Sequence, residues 1–200
     1  DPNIEGLCVW AAYQPKGAAN LAASYVDLSG NGNNTGPGVA PTWDAVNGWE
    51  FNGTTQYLLT AFIAQSDQSQ SMIVQGALLN TNANYICGSR EIAVNYNFRL
   101  SLYYSNLVSC ANGGAVTVAP GIMSGNIAVA GNQGYRNGAP QGGAIGGWAG
   151  ASTTPVVIGA LNKGGVIERW CKCYVYSFAL YDCILTAPQV AAVAAAMAAL

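Results

Sequence analysis

The chain has no histidine among its 200 residues. That absence removes Ser-His-Asp and Cys-His triads, imidazole general bases and His-ligated zinc. Charge is scarce as well: Asp, Glu, Lys and Arg make up 8% of the chain, where about 25% is usual. The seven Lys and Arg are scattered and form no basic stripe, which argues against nucleic acid as a partner. No apolar run reaches the ~18 residues a membrane span needs, so no membrane insertion is expected. Asp1-Pro2-Asn3 lacks a basic region followed by an apolar stretch, so a signal for export would have been removed or lain upstream.

Apolar residues are plentiful at 51%, and the net charge is only −2. A chain of that kind builds a full core and is not disordered by charge. Its length fits one domain, expected over 1–200. Six cysteines (Cys8, Cys87, Cys110, Cys171, Cys173 and Cys183) are too few for a disulfide scaffold. Cys171-Lys172-Cys173 fits neither a redox motif nor a zinc knuckle, and on a strand its thiols would share one face. Several readings stand side by side: buried thiols acting as small hydrophobes, one or two disulfides drawn from Cys8, Cys87, Cys110 and Cys183, a metal cluster, or all six paired in one of 15 connectivities.

Short apolar runs separated by Gly, Asn, Pro and Ser clusters predict an all-β protein. The expected strands fall within 6–13, 48–51, 56–62, 71–79, 97–104, 115–119, 126–130, 156–161 and 169–181. Tyr135-Arg136-Asn137-Gly138 reads as a hairpin tip, because Asn-Gly supplies the positive φ values of tight turns. One helix is expected, over about 187–199. Thr186-Ala187-Pro188-Gln189 has the capping-box pattern, and Val190, Val193, Met197 and Leu200 recur on one face. The opposite face is nearly all alanine and uncharged, which suits either a place on the sandwich edge or contact with another chain.

Taken in order, these segments resemble a known family. Asp27-Leu28-Ser29-Gly30-Asn31-Gly32-Asn33 precedes Gly48-Trp49-Glu50-Phe51-Asn52-Gly53. The Tyr135–Gly138 tip follows, and Ala179-Leu180-Tyr181-Asp182 leads into Leu185-Thr186-Ala187-Pro188. The series is similar to the laminin G-like branch of the concanavalin A-like lectin/glucanase superfamily. The resemblance implies a jelly-roll β-sandwich of two antiparallel sheets whose last strand lies near the first. Such modules occur in secreted adhesins and in phage tail or virion proteins.

Function has to come from the site. Glucanases of the superfamily carry carboxylates at alternate strand positions, and no two of the nine acids here stand at i, i+2. No catalytic residue is therefore assigned, and the chain is expected not to be an enzyme. The resemblance also implies a single structural Ca²⁺, for which Asp27 and Asp44 are the candidate ligands. The competing reading has Asp27 capping its own turn. Glycan binding would use aromatic platforms with neutral amides: Trp148 in its Gly/Ala-rich loop first, with Tyr135 and Trp43. Trp10, Trp49, Phe51 and Phe178 sit in strand patterns that suggest core roles.

From Leu100 through Asn162 the only charged residue is Arg136. An exterior so short of charge suits a lectin for neutral glycans, and equally a subunit packed against identical copies. The expectation is a non-catalytic recognition module for neutral surface glycans, extracellular or on a virion surface. The alternative is a self-assembling structural subunit, a homo-oligomer or part of a larger assembly.

Overall fold

A computed structural model describes residues 8–65, 69–80, 84–92, 96–101, 107–111, 114–118, 124–145 and 152–200. The first half runs β1 (Val9–Tyr13), α1 (Leu21–Ser24), β2 (Gly36–Val39), β3 (Thr42–Asp44), β4 (Gly48–Asn52) and β5 (Tyr57–Leu59), then β6 (Ser71–Leu78), β7 (Cys87–Glu91) and β8 (Tyr96–Ser101). The second half runs β9 (Leu107–Ala111), β10 (Gly114–Val118), β11 (Ser124–Ala130), β12 (Gln133–Arg136) and β13 (Ala139–Gln141), then β14 (Val157–Ile158), β15 (Leu161–Lys163), β16 (Val166–Glu168), β17 (Lys172–Tyr181) and α2 (Ala187–Ala198).

The strands form two stacked sheets, as expected of a jelly-roll sandwich. One is ordered β13-β12-β11-β6-β17-β4-β3; the other is ordered β10-β9-β8-β7-β14-β5-β2. Among the described residues, pairing is antiparallel apart from β15 beside β7, which is parallel. The long strand β17 organises the first sheet. β6 pairs along one flank, while β4 takes residues 172–175 and β1 takes residues 178–181 of the other. The last strand thus lies against the first.

Between the sheets, Trp49, Phe51, Leu58, Phe98 and Phe178 are wholly buried, each at 0% exposure. Alternation puts these side chains inward and leaves Glu50 and Asn52 facing out. A second cluster lies on the outer face of the first sheet, where α2 packs Val190, Ala194 and Met197 against Ile73, Ala128, Tyr135 and Tyr181. Asn126 fixes the helix by donating from Nδ2 to the Ala194 carbonyl at 3.0 Å. The Gln189 side chain accepts from the Thr186 N–H at 2.8 Å, one half of the expected capping box. Leu200, expected on the buried face, is 45% exposed, because the helix ends before it.

Asn137 and Gly138 have φ values of 48° and 79°, as a tight β12–β13 hairpin requires. Yet the hairpin does not project into solvent. The Tyr135 ring on β12 lies under α2, and burial raises the pKa of its phenol above the ordinary value.

The cysteines divide. Cys8 and Cys183 form a disulfide that ties the start of β1 to the turn after β17. Cys87 corrects the pairing expectation: it is a free, fully buried thiol whose Sγ lies 3.6 Å from the Met72 sulfur. Cys171 and Cys173 are likewise free and buried in the main core. Cys110 lies on β9, where only the backbone is described.

Candidate functional site

The loop of residues 27–33 serves as a substitute strand along the open edge of β1. Asp27 Oδ1 accepts from the Ala12 N–H at 2.9 Å, and the Leu28 N–H donates to the Ala12 carbonyl at 2.8 Å. Asn31 donates from Nδ2 to the Val9 carbonyl, and Asn33 does so to the Trp10 carbonyl at 2.6 Å. Gly30 and Gly32 have φ values of 84° and 77°, the conformation that lets the loop turn its amides toward the strand. Edge groups that could otherwise recruit another chain are thereby satisfied within the molecule.

This arrangement overturns the metal assignment. Asp27 is 7% exposed. Its carboxylate accepts from the backbone of Ala12, Ser29 and Asn33 and from the Ser29 hydroxyl, so all four lone-pair positions are occupied. Burial acts to raise its pKa, but these hydrogen bonds outweigh that and hold it below the ordinary 3.8. Asp44 caps a separate turn, accepting from the N–H groups of Val46 and Asn47. Among the described residues no three Cys, Asp or Glu gather as a metal site.

The expected aromatic platforms fare differently. Tyr135 is corrected outright: at 5% exposure beneath α2 it offers no ring face to a ligand. Trp43 is half-buried against the main core and spends its indole N–H on the Pro15 carbonyl at 2.8 Å. Trp148 lies outside the described residues.

Among the described aromatics, Trp10 borders two hollows. A β-bulge between Val9 and Ala11 makes it the extra residue of β1. The bulge aims its ring toward Phe62 at the end of the sandwich, edge to face with centroids 5.2 Å apart. Two hollows meet at this indole and at Asp182. One, of about 510 Å³, runs past Cys8, Ser29, Asn31 and Asn33. The other, of about 400 Å³, runs past Ala61, Phe62, Ile63 and Gln70. Each lies within the common range for small-ligand sites, about 300–1,000 Å³.

Gln70 is the most informative residue in this groove. Its side chain is 1% exposed, yet neither Nε2 nor Oε1 has a hydrogen-bond partner. The backbone around it is fixed. The Gly131 N–H donates to the Gln70 carbonyl at 2.9 Å, and Ser71 Oγ donates to the Cys183 carbonyl at 2.8 Å. Across the groove the Asp182 N–H donates to the Cys8 carbonyl at 3.0 Å, and the disulfide beside it holds that junction. The Asp182 side chain itself is exposed.

Two other surfaces offer less. Tyr174 and Tyr176 stack with centroids 6.3 Å apart, and Lys16 Nζ lies 5.6 Å from the Tyr176 ring, so Tyr176 already has ring and cation neighbours. A third hollow of about 320 Å³, on the α2 side of β1, is lined almost wholly by apolar groups such as Val9, Val193 and Met197, and gives a sugar little to bond.

No known family model matches the chain, and no curated protein is similar to it in sequence. Solved structures do share its fold. The receptor binding domain of botulinum neurotoxin D superposes with a TM-score of 0.66 at 12% identity, over 94% of this chain and 52% of that one. The serotype D ligand binding domain in complex with N-acetylneuraminic acid gives 0.66 at 11% identity, over 94% and 51%. Trypanosoma rangeli sialidase in complex with 2,3-difluorosialic acid, a covalent intermediate, gives 0.62 at 13% identity, over 92% and 32%. The chain thus spans about half of the neurotoxin domains and a third of the sialidase. At these identities the likeness concerns the fold alone, a β-sandwich.

Proposed function

We propose that this protein is a laminin G-like carbohydrate-recognition module that works outside the cytoplasm and holds its glycan in the groove around Trp10. The observation that carries the reading is the convergence of an aromatic face, a buried amide without a partner and an exposed carboxylate on one cleft. An indole accepts the apolar face of a pyranose while amide and carboxylate take its hydroxyls. The Cys8–Cys183 disulfide suits an oxidising compartment. The fold is shared with domains described as receptor binding or ligand binding, one of them in complex with N-acetylneuraminic acid. Recognition fits better than hydrolysis, because among the described residues one carboxylate, Asp182, lines the groove. Glycoside hydrolysis commonly uses two.

A glycan microarray tests this directly. Wild-type protein is expected to bind at least one glycan class, and Trp10→Ala to lose about 2 kcal/mol of that affinity, roughly thirtyfold. Trp43→Phe, which alters an indole outside the groove, should bind as wild type does. An array without signal, or a hit indifferent to Trp10, would contradict the proposal.

A further inference from the structure

We infer that the groove takes an uncharged, hydroxyl-rich sugar held through neighbouring hydroxyls, and turns away carboxylate sugars such as sialic acid. The inference rests on the carbohydrate reading above and specifies its ligand class.

The groove's donors and acceptors are unbalanced. Asn31 directs Nδ2 at the carbonyls of Val9 and Trp10 and Asn33 directs Nδ2 at that of Trp10, so both amides keep their oxygens to offer and Asn33 keeps one N–H. The Ser29 hydroxyl gives its proton to Asp27 Oδ2. Asp182 as a carboxylate only accepts. A cleft rich in acceptors calls for a ligand rich in donors, and sugar hydroxyls are donors. Gln70 sharpens the choice. Its Nε2 and Oε1 lie side by side without a partner but buried, so engaging them takes a shift of the groove wall that admits two adjacent hydroxyls, one accepting and the other donating.

Charge excludes the other class. The chain's seven cations are Lys16, Arg90, Arg99, Arg136, Lys163, Arg169 and Lys172, all of them described residues. None lines either hollow. A sugar carboxylate entering the groove would lose water, find no counter-charge and face Asp182. The N-acetylneuraminic acid of the serotype D complex is therefore the wrong ligand for this cleft, although the folds superpose.

The test is a calorimetric titration with lactose, mannobiose, maltotriose and 3′-sialyllactose against wild type, Gln70→Leu and Asp182→Lys. At least one neutral sugar is expected to bind, and sialyllactose to bind at least tenfold more weakly than the best of them. Gln70→Leu should cut neutral-sugar affinity at least tenfold and raise the melting temperature by a few degrees, since it removes a buried amide that has no partner. A side chain with a purely structural role would not move the two in opposite directions. Asp182→Lys should swing preference toward sialyllactose. Trp10-dependent binding of sialyllactose above every neutral sugar would overturn the inference and leave the carbohydrate reading standing. A Gln70→Leu variant of unchanged affinity and lower melting temperature would overturn it too. Failure of every sugar in this panel and on the array would overturn both.

Discussion

Converting Cys8 and Cys183 together to serine is expected to lower stability by up to about 5 kcal/mol, the largest effect of any change considered. The bond joins residues 175 apart in sequence. Loop closure on that scale removes about 5 kcal/mol worth of unfolded-chain entropy at 25 °C, and native disulfides typically contribute 2–5 kcal/mol when removed. For a chain of this size that corresponds to a fall in melting temperature of roughly 5–20 °C. The consequence is also local. Cys8 precedes the strand that carries Trp10, and Cys183 follows Asp182, so the bond holds the two walls of the groove together. Thermal melts with and without reductant, run beside glycan titrations, should show stability and binding falling together. Identical melts would show that the hydrogen bonds of β1 to β17 suffice without the bond.

Asp27→Ala comes second, at about 3–4 kcal/mol. It leaves the N–H groups of Ala12, Ser29 and Asn33 and the Ser29 hydroxyl without their acceptor. Each hydrogen bond to a charged acceptor contributes about 1.5–3 kcal/mol, and water recovers part of the loss at the loop's exposed rim. The same carboxylate sets an acid limit. Its folded pKa lies below the ordinary 3.8, so the folded state holds fewer protons than the unfolded chain in that region. The stabilisation is complete above the unfolded pKa and disappears as pH falls through the folded one. Asp44 is shifted the same way, by hydrogen bonds from the backbone and side chain of Asn47, and adds to the trend. Wild-type melting temperature should therefore stay level above about pH 5 and drop below pH 4. Asp27→Asn should begin lower and fall less steeply. An Asp27→Asn variant with the wild-type acid profile would show that the loop draws nothing from ionisation.

How far the sequence discloses the molecule depends on how local the cause is. Each of the nine expected apolar runs overlaps a strand, because turn residues and alternation act within a few positions. Tyr135-Arg136-Asn137-Gly138 is a hairpin tip for the same reason, with both turn residues at positive φ. Asp27 likewise caps a turn three residues from a glycine that permits it. What misleads is set at long range. Tyr135 looks available until α2, more than fifty residues later, lands on it. Trp10 sits in an apolar strand pattern and reads as core, and it does pack, partly buried, against the main core; the bulge opposite β17 that leaves part of it at the cleft is set by long-range pairing. Gln70 reads as an ordinary polar residue ahead of β6. Its burial follows from Ser71 locking onto Cys183, 112 residues away, and no local pattern announces that.

The central claim is that a sugar lies against Trp10 at the end of the sandwich. Crystals grown with the tightest glycan from the array test it most directly. The account predicts a pyranose ring stacked on the Trp10 indole, with hydroxyl oxygens within about 3.2 Å of the Gln70 amide and the Asp182 carboxylate. A sugar bound instead on the Tyr174–Tyr176 face or at the loop bearing Trp148, with the Trp10 cleft holding only water, would contradict it.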